Sequence, residues 1–318
     1  MAEGVLVVLP ESAGGRLGAA ALEALGLGAQ IAGLAGTGWD VALLDGESSA
    51  AEAAERGAGR VLVAPGSAVR SESAAAAVAL VKPRAVVVSR GAHVLDIVPR
   101  LAARTGGGCV MGVTEVRPEN GDFQVVASVY GGAARAVFAF RGDGPRIVSG
   151  APGVAAAPER QAGRSVEVER FDVPESRGVR VVEALRAPEG PRLEDARVVV
   201  SGGRGLRDAG NYRLVEGLAA ALGGLAGASR AIVDDGWAPP AKQVGLTGKI
   251  VTPDLYVAAG ISGASQHMAG CSNARTLVAI NTDPNAPIFR YADYGIVDDC
   301  LEVLPALIEL AKSGTARA

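Results

Sequence analysis

The chain has 318 residues, enough for about two domains of ordinary size. Its 31 Lys and Arg against 34 Asp and Glu leave a net charge of −3, and only 4% of residues are aromatic, so neither electrostatics nor base stacking draws it to nucleic acid. With 49% hydrophobic and 20% charged residues it can bury a large core and is not disordered, while three Cys without a C-x-x-C pair and two distant His argue against a disulfide framework or a zinc ribbon.

The N-terminus, Met1 to Gly4, has no basic region, and the apolar run Val5–Leu9 is too short for a signal peptide. The longest Ala/Val run, Ala74–Val81, stops at Lys82-Pro83, short of a membrane span. A cytoplasmic protein without membrane insertion is the expectation. Val5–Leu9, Val41–Leu44, Val61–Val63 and Ala85–Val88 have the length and continuous apolar character of strands buried on both faces. Ala50–Arg56, Ser71–Val81 and Leu95–Arg104 between them read as helices, so a parallel sheet covered on both sides is expected. Gly26-x-Gly28 lacks the third glycine of a dinucleotide fingerprint and belongs in a small-residue helix.

From Val110 to Ile147 the pattern changes. Val125–Tyr130 and Arg135–Phe140 are closely spaced strands around Gly131-Gly132, which predicts an antiparallel addition to the sheet. Val166–Phe171 alternates as a half-exposed strand does. Residues 172–193 mix Pro, Gly and charge and form the candidate interdomain linker, which divides the chain into domains 1–192 and 193–318. A second α/β unit then begins with a strand at Val198–Val200 and an amphipathic helix at Tyr212–Leu222. Strands are expected at Ala231–Val233, Leu255–Ala259 and Thr276–Ile280, and a last helix over Asp298–Lys312.

Four turns in this second unit are dense in ligand-type residues. Ser201-Gly202-Gly203-Arg204-Gly205-Leu206 follows a strand, where backbone amides and a helix start can approach an anion and an Arg can grip phosphate. It is not a dinucleotide fingerprint, because Asp208 stands where the third glycine belongs. Gly227-Ala228-Ser229-Arg230 is the second turn, and a solvated Arg is its plain alternative. Gln243 to Lys249 is the third, excluded as a P-loop because Ile250 follows the Lys. Gly260 to His267 is the fourth, with His267 near a helix start that favours an electron-rich ligand edge.

Taken together, VVVSGGRGL, GASRAIVDDGW, QVGLTGKIVTPDLYVAAGISGASQHMAG and VAINTDPNAPIFRYADYGIVDD resemble the FAD domain of the electron transfer flavoprotein alpha subunit. The resemblance covers the stretch from Arg197 to Leu307; a looser likeness in the first part rests on VKPRAVVVSRGAHVLDIVPRLAARTGG and VTEV. It implies an α/β chain of two domains, an N-terminal nucleotide-binding-like parallel-sheet domain and a C-terminal flavodoxin-like FAD-binding domain. It implies a heterodimer with a beta subunit that holds AMP or a second FAD. The pair would take electrons from flavin dehydrogenases, such as the acyl-CoA dehydrogenases of fatty acid β-oxidation, and pass them to a quinone oxidoreductase or another acceptor.

By the same resemblance, Arg204 and Ser229 contact the phosphate and ribose side of FAD, and Arg230 lies over the isoalloxazine ring. Val244, Gly245, Leu246 and Thr247 run along the ring, with the Thr247 hydroxyl near N5. Ser262, Gly263, Ala264, Ser265, Gln266 and His267 form a second loop, with His267 at the O2 edge. Asn281 and Asp299 lie toward the adenosine end. A cation or strong donor near N1/O2 would stabilise the charge that reduction places there. Departures from the family pattern are Leu246 where most relatives carry Gln, Ser265 at a usually apolar position, Trp237 to Lys242 without the usual Asn-Asp pair, and the glycine-rich Gly106–Gly112. The alternatives are an electron-bifurcating flavoprotein using NADH, a nicotinamide-dependent oxidoreductase on the same domain type, and an interaction protein that has lost its FAD.

Overall fold

The computed structural model describes residues 4–10, 16–66, 68–119, 121–130, 134–176, 178–179, 182 and 192–314. The Gly131-Gly132 turn and most of the candidate linker (177, 180–181 and 183–191) lie outside the described residues. The chain divides into two compact units, Met1–Ala187 and Pro188–Ala318.

In the first unit β1 (Val5–Leu9), β2 (Trp39–Leu43), β3 (Val61–Val63) and β4 (Ala85–Val88) pair in parallel in the order β3-β2-β1-β4. All of β1 is buried because both its faces are covered. Val5, Val7 and Leu9 pack with α1 (Ala19–Ala35) in one core, while Leu6 and Val8 pack with α3 (Arg70–Val81) and α4 (Val94–Thr105) in another. The short α2 (Ala50–Glu55) joins the α1 side through Ala50 and Ala53. Gly28 lets α1 close on β1, since a Cβ there would stand 2.3 Å from Val7 Cγ2.

The antiparallel addition consists of β5 (Gly108–Glu119), β6 (Asp122–Val129) and β7 (Ala134–Ala139), with β5 also pairing in parallel with β8 (Arg146–Gly150) beside β4. The glycine-rich start of β5 is where register slips: Gly112, at φ 71°, sits in the bulge between Met111 and Val113. β9 (Val168–Arg170) pairs with β3 at the other edge of the sheet.

Among its described residues the second unit has five parallel strands, β10 (Val198–Gly202), β11 (Leu225–Ala228), β12 (Leu255–Ala259), β13 (Leu277–Asn281) and β14 (Tyr294–Val297). Their order, β11-β10-β12-β13-β14, is the flavodoxin-like 2-1-3-4-5 arrangement. Helices α5 (Tyr212–Ala221) and α8 (Cys300–Lys312) cover one face, and the other packs around Tyr256, Val244, Met268 and Ile288.

One expectation is corrected here: Ala231–Val233 is not a strand but part of helix α6 (Arg230–Asp234), and the strand is the preceding Leu225–Ala228. Small residues are required there. A Cβ on Gly227 would come within 2.3 Å of Ser201 Oγ and one on Gly224 within 2.4 Å of Val198 O, so only a Gly/Ala segment lies this close to β10. Among the described residues no helix is long and apolar enough to cross a membrane.

Candidate functional site

Because all five strands of the second unit are parallel, their C-terminal ends share one edge, and the chain leaves β10 and β12 in opposite directions. Ligands of open α/β sheets bind at such a switch point. The loops after β10 and β12 touch backbone to backbone. Gly203 N–H donates to Ala259 O at 2.9 Å and Gly205 N–H to Gly260 O at 3.0 Å. A Cβ on either glycine would lie 2.4–2.5 Å from Gly260. These amides are therefore taken up in holding the loops together, not offered to an anion as the sequence suggested.

Arg204 begins the 3₁₀ turn after Gly203 and forks onto Asp235, with Nε–Oδ2 at 3.0 Å and Nη2–Oδ1 at 3.2 Å. Arg230 opens α6 and reaches Asp234 Oδ2 at 3.2 Å. Both arginine side chains are 67% exposed, and exposed pairs contribute only about 0–1 kcal/mol. Two consecutive aspartates thus hold the two arginines loosely. Asp234-Asp235 was visible in the sequence as VDDGW, but its pairing with two site arginines follows only from the turn at the end of α6. Ser229 is buried at the start of α6, and its N–H ties that helix to Gly202 O at 2.9 Å.

The 243–249 loop is pinned at both ends of this edge. Val244, fully buried, donates its N–H to Ala228 O at 2.9 Å, and Leu246 N–H donates to Gln266 O at 2.7 Å. Gly245, at φ 144°, passes so close to the next loop that a Cβ would meet Gln266 O at 3.0 Å. Gln243 Nε2 donates to Thr247 Oγ1 at 3.0 Å, and Leu246 is 58% exposed.

After β12 the chain turns through Gly260 and Gly263 into the single-turn α7 (Ser265–Met268). Ser262, Ala264, Ser265 and Gln266 are exposed, whereas Gly263 and His267 are buried. Ser262 O accepts Ile288 N–H at 3.0 Å, which anchors this loop to the segment after β13. Asn281 braces it from β13, donating from Nδ2 to Ile261 O at 2.9 Å while Oδ1 accepts Asp283 N–H. Asp299 caps α8 through Leu301 N–H and accepts from Arg207 Nη2 at 2.6 Å. Of the fifteen expected site residues, those in segments 204, 229–230 and 262–267 and Asp299 follow strands of one sheet, and Asn281 ends β13. The 244–247 loop, which comes before β12, is tied to its neighbours by main-chain bonds, and Asn281 and Asp299 use their side chains to brace neighbouring loops.

His267 is the buried ionisable member of the group. Its Nε2 lies 3.0 Å from the hydroxyl of the fully buried Tyr256, while Nδ1 is buried without a hydrogen-bond partner. Burial pushes its pKa down to about 4, against a weaker opposite pull from the Val244 backbone. The ring is therefore neutral at pH 7. Sequence reasoning missed Tyr256, because a lone Tyr in the apolar run LYVAA reads only as core.

This depressed pKa sets an acid limit on the free protein. An unfolded imidazole takes up its proton near 6.5, the folded one only near 4, so between these values the unfolded chain binds more protons and stability falls as pH falls. The loss across this window is about 3 kcal/mol. In urea titrations from pH 7 to 4, wild type should lose about 3 kcal/mol more than His267→Gln. Parallel pH profiles for the two proteins would show that the ring titrates normally.

A second cleft, in the first unit, is lined by Val78, Lys82, Arg84, Arg104 and Arg146. It lies at the N-terminal ends of β4 and β8, the edge opposite to where α/β ligands bind. Three of its cations are engaged, Arg84 and Arg146 with Asp122 and Arg104 with Glu72. Among the described residues no group of three or more His, Cys, Asp or Glu could hold a metal ion.

Residues 192–272 match the family model described as the electron transfer flavoprotein FAD-binding domain, and residues 5–176 match the electron transfer flavoprotein domain. Similar proteins include the electron transfer flavoprotein subunit alpha of Mycobacterium leprae, 43% identical over 235 residues, 73% of this chain and 72% of the relative. The subunit of the same name from Bacillus subtilis is 35% identical over 324 residues, 96% of each chain. A Clostridium saccharobutylicum protein named FixB is 35% identical over 319 residues, 96% of this chain and 95% of the relative.

Proposed function

This chain belongs to the electron transfer flavoprotein alpha-subunit family, and we propose that it is the FAD-bearing half of a heterodimeric electron carrier. Its partner is a beta subunit holding AMP or a second FAD. Its donors are flavin dehydrogenases such as acyl-CoA dehydrogenases, and its acceptor is a quinone oxidoreductase.

The observation that carries this reading is the switch-point edge of the second unit. There two exposed arginines are held only by weak pairs, and a neutral imidazole keeps a buried nitrogen without a partner. The residues fit a flavin nucleotide. FAD, when bound, supplies a ring that stores and relays one or two electrons. Arg204 would grip the anionic pyrophosphate, for which a guanidinium fork is suited and from which Asp235 is easily displaced. Ser229 and Asn281 would add contacts along the nucleotide, and Asp299 would hold Arg207 and the α8 start in place at the adenosine end. Arg230 would place a fixed positive charge beside the ring. The Gly245 turn brings Val244, Leu246 and Thr247 alongside, with Thr247 as a hydroxyl donor. Leu246 presents an apolar side chain where a Gln would offer an amide. None of these groups acts as nucleophile or base, consistent with a chain whose work is to bind and tune a redox group.

The reading is tested by purifying the chain with its cognate beta subunit and adding, without oxygen, an acyl-CoA dehydrogenase with its substrate. About one FAD should be found on this chain, and its absorbance should bleach. Bleaching by NADH alone would favour the bifurcating alternative, and a pair with no flavin even after FAD is added back would overturn the carrier reading.

A further inference from the structure

We propose that Tyr256 is a positioning residue: it donates its phenolic proton to Nε2 of His267 and so fixes that imidazole as the Nδ1–H tautomer. The role of this proton rests on the FAD reading above, but the tautomer itself can be measured without it.

Tyr256 lies on β12 with its side chain fully buried, and burial holds the phenol well above its ordinary pKa, so it keeps its proton. A phenol has one proton to place. His267 Nε2, at 3.0 Å, is in hydrogen-bonding position. Two other polar groups stand close to the phenol, the Ser201 hydroxyl and the Cys271 thiol, but neither is in bonding geometry with it: Ser201 Oγ has no hydrogen-bond partner, and the thiol donates to His267 O at 3.6 Å.

If Nε2 carried the ring proton, it would donate to the phenol oxygen and leave the phenol proton buried with no acceptor in bonding geometry, an arrangement proteins avoid. If the phenol donates, both groups at this contact are satisfied. A neutral imidazole has one proton, so it then sits on Nδ1. That nitrogen is buried and has no partner in bonding geometry, with only a weak pull on the ring from the Val244 backbone, so its proton would be left for an acceptor on a bound flavin. Isolated neutral imidazole side chains favour Nε2–H, so the tautomer here is imposed by Tyr256. On this view His267 serves the flavin as a neutral donor, and the fixed positive charge comes from Arg230 alone.

Nitrogen NMR on the full chain with ¹⁵N-labelled histidine tests this at pH 7. The chain has two histidines, so His93→Gln identifies the signals of His267. In wild type Nδ1 should show the shift of a protonated ring nitrogen and Nε2 that of a bare, hydrogen-bonded one. Tyr256→Phe keeps the ring and removes the hydroxyl, and it should move the His267 pattern toward Nε2–H. Uniform replacement of tyrosine by 3-fluorotyrosine, which makes the phenol a stronger donor without removing it, should shift Nε2 further and guards against a Tyr256→Phe chain that does not fold. A wild-type Nε2–H pattern, or Nδ1–H unchanged in Tyr256→Phe, would overturn the proposal.

In the flavin-loaded pair, Tyr256→Phe should lower the midpoint potential and add nothing to the effect of His267→Gln. Additive shifts would mean that Tyr256 acts on the flavin by another route and would overturn the positioning role. Absence of flavin from wild type, with the Nδ1–H pattern intact, would overturn the functional reading and leave the tautomer assignment standing.

Discussion

Gly263→Ala should destabilise the second unit by about 3 kcal/mol and remove its capacity to hold a flavin. Two costs combine at this position. Gly263 has φ 85°, outside the range comfortable for a side chain, which costs about 1–2 kcal/mol. Its Cβ would also stand 2.3 Å from the Ile288 nitrogen and 2.4 Å from the Ile288 Cα, so backbone must move, and overpacking of this kind costs about 1–3 kcal/mol. The displaced segment carries Ser262, whose carbonyl accepts Ile288 N–H, and leads directly into α7 and His267.

Gly236→Ala separates the two costs. Gly236 has a similar φ of 76° but nothing within 4 Å of its Cβ, so it should cost only about 1–2 kcal/mol. Urea unfolding followed by the fluorescence of Trp237, in the second unit, reads both variants. Equal destabilisation of the two would mean that the packing of Gly263 against Ile288 contributes nothing.

Arg230→Ala should lower the midpoint potential of the bound flavin by tens of millivolts. The side chain is 67% exposed and held by one i,i+4 pair with Asp234, so it is free to turn toward a ligand at the start of α6. A unit charge about 4 Å from the ring is worth about 4 kcal/mol at an effective dielectric near 20. At about 59 mV per 1.4 kcal/mol for one electron, the ceiling is roughly 170 mV. Solvent screening at so exposed a position reduces this to tens of millivolts. Arg230→Lys should recover part of the loss, because charge survives while the planar guanidinium does not. Asp234→Asn should shift the potential the opposite way, since it removes the competing negative partner. Potentials that agree within error across wild type and these variants would return Arg230 to the role of a solvated surface residue.

The elements that the sequence disclosed are those whose burial is decided locally. Val5–Leu9, Val61–Val63 and Ala85–Val88 are strands at those limits, because a continuous apolar run covered on both faces leaves no other arrangement. The error at Ala231–Val233 has the opposite origin. β-branched residues favour a strand there, yet the sheet needs Gly and Ala beside β10, so the strand falls on Leu225–Ala228 and the β-branched residues wind into α6. β14 went unseen because it is an exposed edge strand, with Gly295 accommodating the Phe289 ring.

In the site, glycine-rich turns after strands were legible as turns, since strand and helix ends demand them. Their use was not. Whether the amides of Gly203 and Gly205 face an anion or a neighbouring carbonyl depends on the crossing with Gly260, fifty-odd residues away in the chain. The contact of Tyr256 with His267 is equally non-local, joining a strand interior to a turn eleven positions later.

Hydrogen–deuterium exchange on the alpha–beta pair, stripped of flavin and then reloaded with FAD, tests most directly where the cofactor sits. FAD should slow exchange in residues 203–206, 229–233, 243–249 and 260–268, the loops at the C-terminal edge of the second sheet. Residues 78–84 and 142–146, around the cleft of the first unit, should exchange at the same rate with and without it. Protection confined to the first unit, or unchanged exchange in all four loops while flavin is bound, would contradict the placement of FAD on this edge.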